Sequence, residues 1–259
     1  MGRGSSAAAL ALALAAAGLS CSRSPSHAAP DAGSAAGSAL APALSVRQMP
    51  AVVPVRRPGG RPFGNAKERM GHDTMELECD GGARSVTCDD FLAGVDKSCP
   101  PQTTLAAVPW TSANLDCHAL DLVVHGVPST MSFLRTFSMR IDRADELPAA
   151  LWQGPSQEAN AALEKASASG KSLRDMVPDV HMVIGTPERA KYESKDDWLE
   201  VITFAFGDFG SPGGGPPDGV EDVIIQAHSG PKAGSAFYAV LWVLTRKSAG
   251  GKMEIVRRI

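Results

Sequence analysis

Phe206-Gly207-Asp208-Phe209-Gly210-Ser211-Pro212-Gly213-Gly214-Gly215-Pro216-Pro217-Asp218-Gly219-Val220-Glu221-Asp222-Val223-Ile224-Ile225-Gln226 is the stretch on which the reading of this chain turns. An apolar run, Leu199 to Phe206, leads into it, and a second, Val223 to Ala227, leads out. Between them is a Gly/Pro-rich connection with four acids, Asp208, Asp218, Glu221 and Asp222. Apolar, β-branched and aromatic runs bounded by Gly and Pro are strand signals. The stretch therefore reads as strand, loop, strand, and the rest of the sheet is expected to be added antiparallel on either side.

Further strands are expected at Val180 to Ile184, Gly219 to His228, Phe237 to Arg246 and Met253 to Arg257. Phe237 to Leu244 is apolar on both parities, which marks a strand covered on both faces. Upstream, Cys117 to His125 and Met131 to Asp142 read as a hairpin joined by Gly126 to Thr130. The second arm alternates apolar and polar residues from Met131 to Ile141. Counting back from that turn sets Asp121 opposite Arg135, an expected structural ion pair. Between the hairpin and the later strands the period changes to a helical one. Asp145 opens a short helix, Ser156 caps a second that Gly170 stops, and Ser172 to Asp175 has the spacing of a capping box. Thr87-Cys88-Asp89-Asp90 has it too, ahead of a helix over 88–97. The expected fold is α+β: a mostly antiparallel β-sheet with a short helical insert, in one domain over 63–259.

The first 62 residues are expected to lie outside that domain. Residues 1–20 carry Arg3 and then an Ala/Leu-rich run, Ala7 to Ala17, shorter than the roughly 20 residues a spanning helix needs. That is the form of a secretory signal peptide. It ends Ala-Gly-Leu-Ser-Cys, which resembles a bacterial lipoprotein signal with Cys21 as the acylated residue, although Gly18 stands where Leu is usual. Residues 22–62 are dominated by Ala, Ser, Gly and Pro and read, with Cys21, as a lipid-anchored disordered tether over 21–62. Arg56, Arg57 and Arg61 are expected to be solvated at its end.

Of five cysteines, Cys21 leaves an even set, Cys79, Cys88, Cys99 and Cys117, enough for two disulfides. A helix between Cys88 and Cys99 would hold them about 16 Å apart, too far to bridge. That leaves Cys79–Cys88 with Cys99–Cys117, the pairing expected first, or Cys79–Cys99 with Cys88–Cys117. Clustered cysteines in an exported chain suit an oxidising compartment, and their spacing has no C-x-x-C zinc pattern. With 25 Lys and Arg against 28 Asp and Glu, the net charge of −3 gives no footprint for a nucleic-acid binder.

The acid-bearing loop resembles the Asp-rich calcium loops of FG-GAP-type repeats, with Phe206-Gly207 before it and Val223-Ile224-Ile225 after. Residue by residue, Asp208 matches the first ligand, Asp218-Gly219 the Asp-Gly pair and Asp222 the last acid. Gly210 stands where a further ligand is usual, and Ser211 to Pro216 are extra. The resemblance implies calcium held by Asp208, Asp218 and Asp222; the residue-level alternative is a plain Asp-Gly turn with solvated acids. The folded part also resembles secreted proteins of large-genome soil bacteria, from which no activity follows.

No catalytic set is legible. Ser169-Gly170-Lys171-Ser172 lacks the earlier glycine of a phosphate-binding loop, where Lys165 stands. Ser211 lacks the glycine of a nucleophile elbow, and the six histidines form no metal-ligand spacing. The four tryptophans read as core. The function expected is a binding, scaffolding or inhibitory module on a bacterial cell envelope, meeting an envelope or extracellular partner and touching the membrane through lipid only. A secreted hydrolase with a distributed active site is the alternative.

Overall fold

Residue 52 is where the computed structural model begins to describe the chain, and it describes 52–79, 82–211 and 213–259. The expected signal peptide, Cys21 and most of the expected tether lie outside the described residues.

In chain order, helix α1 (Ala66–His72) precedes a hairpin of β1 (Thr74–Cys79) and β2 (Gly82–Thr87). The Thr87 side chain then caps α2 (Cys88–Asp90) in the reciprocal box expected from sequence. Helical turns continue through a π-turn, Phe91–Val95, into α3 (Asp96–Ser98), with Gly94 at a φ of 136° breaking the run. Helix α4 (Thr104–His125) follows, then a long irregular segment. Next come α5 (Gln157–Ala168), capped by Ser156, and α6 (Leu173–Met176), capped by the Ser172–Asp175 box. Six strands close the chain: β3 (His181–Gly185), β4 (Arg189–Glu193), β5 (Asp197–Gly207), β6 (Asp222–Pro231), β7 (Tyr238–Thr245) and β8 (Glu254–Arg258). They form one antiparallel sheet in sequence order, so each strand lies beside its chain neighbour. The α+β class is as expected.

The middle of the sheet is buried on both faces, which is why β6 and β7 read as continuous apolar runs. On one face Ala205, Ile224, Leu241 and Val243 pack against α4, the hairpin and α1. On the other, Leu199, Val201, Val223, Ile225, Trp242 and Leu244 pack against the irregular segment and α6. A bulge between Thr203 and Ala205 re-aims the end of β5, so that Ala205 joins the first core and Phe206 the second.

Three expectations are corrected. Cys117 to His125 is the last part of α4, not a strand. Leu115, Ala119, Leu120, Leu122 and Val123 are buried at helical spacing. Pro109 inside the helix removes one backbone bond, but packing on the sheet outweighs it. With its partner gone, Met131 to Asp142 makes no regular strand. It buries Leu134, Phe137 and Met139, while Met131 and Ile141 are exposed. The Asp121–Arg135 pair therefore does not form: Asp121 meets His125 one turn away, and Arg135 is exposed beside Arg140 and Pro187. Strand β4, rich in charge, carried no apolar run to announce it; only Ala190 and Tyr192 face the core.

The disulfides are Cys79–Cys99 and Cys88–Cys117, so the pairing expected first is replaced by the second. The hairpin brings the end of β1 back over α3, while Cys88 at the start of α2 reaches α4. Cys88 and Cys99 sit at opposite ends of one helical span and are not joined. Two disulfides fit a chain that folds in an oxidising environment, outside the reducing cytosol. Among the described residues no helix is long and apolar enough to cross a membrane.

A further correction concerns where the folded unit begins. Val53 pairs with Ser129, and Arg56 exchanges both backbone hydrogen bonds with Phe206 at the end of β5. The Arg56 guanidinium is not solvated. Its Nε and Nη2 donate to the two oxygens of Glu221 at 2.9 and 3.1 Å, and its Cζ lies 4.1 Å from the Phe206 ring centroid. Arg57 covers Phe63 in the same manner. Residues 53–62 thus belong to the folded unit rather than to a tether.

Glu221 is fully buried and has Arg56 as its countercharge. We expect Arg56→Met to cost about 3–5 kcal/mol of unfolding free energy in denaturant titration, because it leaves a buried carboxylate unpaired. Arg57→Met should cost far less. Equal effects of the two would show that the pair is not what fastens this segment.

Candidate functional site

The acid-bearing loop closes on itself. Asp208 and Asp222 are buried, and Asp218 is exposed. Asp208 Oδ1 accepts from the Gly210 amide and its Oδ2 from the Gly219 amide. Asp222 Oδ2 accepts from Phe209 at 3.0 Å, and Asp218 Oδ1 from Val220 at 2.9 Å. The backbone of Asp208 pairs in both directions with Val127, and Phe209 lies over Gly126, where a Cβ would come within 2.6 Å of its ring. The carboxylates therefore act as acceptors that organise a loop, as Asx turns do. Among the described residues no group of three or more His, Cys, Asp or Glu is placed to hold a metal ion. Asp208, Asp218 and Asp222 do not assemble the calcium cradle that the resemblance implied, and Glu221 turns away to Arg56 and Ser132.

Burial pushes the Asp222 carboxyl up to about 7, with the charges of Asp208 and Asp218 adding to the effect. The Phe209 amide and the Thr245 hydroxyl work in the opposite direction.

A different constellation lies where α4 meets the sheet. On the face of the sheet that α4 covers, Glu200 stands directly opposite His228, and Ile202 opposite Gln226. Val108, Thr111, Ser112, Leu115 and Asp116 of α4 close the space above them, and Phe237 closes its end, leaving a pocket of about 210 Å³. Gln226 Nε2 donates to Asp116 Oδ1 at 2.9 Å, fixing that carboxylate at the rim. The Phe237 ring meets His228 edge-on at 5.3 Å and Trp198 at 6.4 Å. His228 Nδ1 is 3.9 Å from Glu200, too long for a hydrogen bond, and its Nε2 is buried with no partner among the described residues. Burial lowers the imidazole's affinity for a proton, and Arg189 adds to this against the pull of Glu200 and Asp116. The balance favours the neutral ring.

A larger cleft, about 790 Å³, runs between α5 and β8 with Trp242 at its floor. Its charges are spent on one another: Arg258 with Glu164, Lys247 with Glu254, and Lys252 with Asp175.

Sequence reasoning did not single out His228. The signal available was alternation along β6, which puts Ile224, Gln226 and His228 on one face. What faces them depends on α4, of which the sequence reading covers only Cys117 to His125, and that as a strand. Trp198, assigned to the core, is half-buried at the edge of this site. No family model matches the chain, and no curated protein or solved structure shows significant similarity to it.

For Asp222 the pH dependence follows directly. Its folded value lies above the ordinary 3.8, so the fold binds this proton more tightly than the unfolded chain does. The stabilisation is complete below about pH 4 and is lost as pH rises to about 7, a loss of at most about 4 kcal/mol. Asp222→Asn should flatten this part of the stability profile and raise the melting temperature at pH 8. A mutant profile parallel to the wild type would refute the assignment.

Proposed function

We propose that this chain is an envelope-anchored lipoprotein whose folded unit is a binding module, docking a partner on the α4 side of its sheet. The observation that carries this reading is an incompletely covered sheet face. Helix α4 packs over β7, and beyond it Ile202 and Trp198 are only half-buried; at the His228 pocket Val108 of α4 and Phe237 are 59% and 43% exposed, and Leu105, one turn before Val108 on α4, is 82% exposed. Grouped exposed apolar and aromatic residues with a polar rim are typical of interaction sites. The anchor is supported by cysteine bookkeeping: the two disulfides use four of five cysteines, and Cys21 is the one left. Scaffolding and inhibition are both forms of this docking.

One observation favours the hydrolase reading: a neutral histidine with Glu200 near Nδ1 and the Thr111 and Ser112 hydroxyls lining its pocket. Nucleophilic catalysis needs the hydroxyl hydrogen-bonded to the ring. Here Nε2 has no such partner, and Glu200 is held by Arg189. Binding is the better-supported use of this surface.

In the native host, Cys21→Ser should abolish labelling by a fatty acid and release the protein from the membrane fraction. A photo-cross-linking residue at Phe237 should capture one discrete envelope protein, and one at Ile141, exposed elsewhere, should not. Equal capture from both positions would remove the docking face. Fluorophosphonate labelling of Ser112 that disappears in His228→Ala would move the assignment to a hydrolase.

A further inference from the structure

We infer that the pocket between α4 and β6 is the specificity point of this face and receives a basic side chain, lysine or arginine, from a protein partner. This inference rests on the docking reading above and gives it a chemistry.

Size comes first. A volume of about 210 Å³ is below the 300–1,000 Å³ of small-molecule sites and is on the scale of one long side chain. The walls then divide by chemistry. Val108, Leu115 and Phe237 offer an apolar sleeve, which suits the methylene stem of lysine or arginine. At the rim is Asp116. Its Oδ1 is fixed by Gln226, and among the described residues no cation forms an ion pair with it. This sets it apart from its charged neighbours: Glu200 is paired with Arg189, and Glu193 with Lys191 and Lys232. The pocket thus holds one uncompensated negative charge beside an exposed aromatic ring, and carboxylate plus aromatic face is the combination that attracts an organic cation. Thr111 and Ser112 line the same pocket, and a hydroxyl can accept from an ammonium or guanidinium group.

A metal ion does not fit. One carboxylate in an apolar sleeve falls far short of the 6–8 oxygens calcium takes. The neutral state of His228 matters as well, because a protonated imidazole beside Asp116 would compete for its charge. The groups facing His228 are Glu200 and Asp116, which favour protonation, and Arg189, which with burial opposes it. The pocket is therefore free to take a cation at neutral pH and loses affinity for it on acidification.

The test is a side-chain titration of the purified protein followed by NMR on the His228 and Phe237 ring resonances. The probes are N-acetyl-lysine methylamide and its neutral counterpart N-acetyl-norleucine methylamide. The lysine probe should shift both rings at millimolar concentration, and the norleucine probe should bind about tenfold more weakly or worse. Asp116→Asn, an exposed and nearly isosteric change, should remove that preference while leaving the spectrum otherwise native. If the two probes bind equally, or if Asp116→Asn leaves lysine binding unchanged, the cation assignment is overturned while an apolar docking face stands. If neither probe moves either ring, the cation assignment is again overturned, and the Phe237 cross-link separately decides the docking face.

Discussion

A bidentate contact between Arg56 and Glu221 is the constraint to which the most distant parts of this chain are tied. Glu221 ends the long loop between β5 and β6, and its backbone amide donates to Met131. Its carboxylate takes both Arg56 nitrogens and the Ser132 hydroxyl, while Arg56 Nη2 also reaches the Leu134 carbonyl. Three segments with no regular secondary structure are thereby joined: the chain around residue 56, the segment from 131 to 134, and the loop end. A buried carboxylate is tolerable only with its charge met and its lone pairs filled. That requirement draws Arg56 inward and fixes the edge of the fold beside Phe206.

The Asp-bearing loop next to it follows the same rule with different partners. Where Glu221 is neutralised by a cation, Asp208 and Asp222 are satisfied by amides that the Gly-rich backbone turns toward them. One sequence feature, acids among glycines, can serve a metal or a turn, and the outcome depends on whether the carboxylates converge on a shared point or each on its own backbone. Here they meet backbone amides, Asp208 and Asp222 across the loop and Asp218 two residues on. The loop's carboxylates are taken up by its own backbone, and the docking surface we propose lies instead on the α4 side of the sheet.

That surface owes its form to an imperfect match between elements. The sheet is six strands wide, and α4 covers the part over β7, leaving Trp198, Ile202 and Phe237 half-covered or exposed beyond its flank. Two disulfides tie the end of β1 to the chain after α3, and α2 to α4, which restricts where the helix can lie. His228 and Gln226, inconspicuous within an apolar strand, become pocket residues only because a helix passes above them.

What the sequence by itself determined was local: the strands β5 to β8, whose apolar runs have no other use, and the helix caps at Thr87, Ser156 and Ser172, whose hydroxyls find amides three residues on. The α+β class followed from these, as did two disulfides among four clustered cysteines. Tertiary structure decided the rest. Residues 117–125 alternate well enough to pass for a strand, and only the continuous buried face from Ala113 to Val123 shows a helix. Once α4 exists, the hairpin register, the Asp121–Arg135 pair and the first disulfide pairing fall together, since all were inferred from local spacing. The partner of Arg56 lies 165 residues away, a separation over which sequence periodicity carries no information. Burial chose between a solvated charge and an ion pair, and burial is a property of the assembled fold.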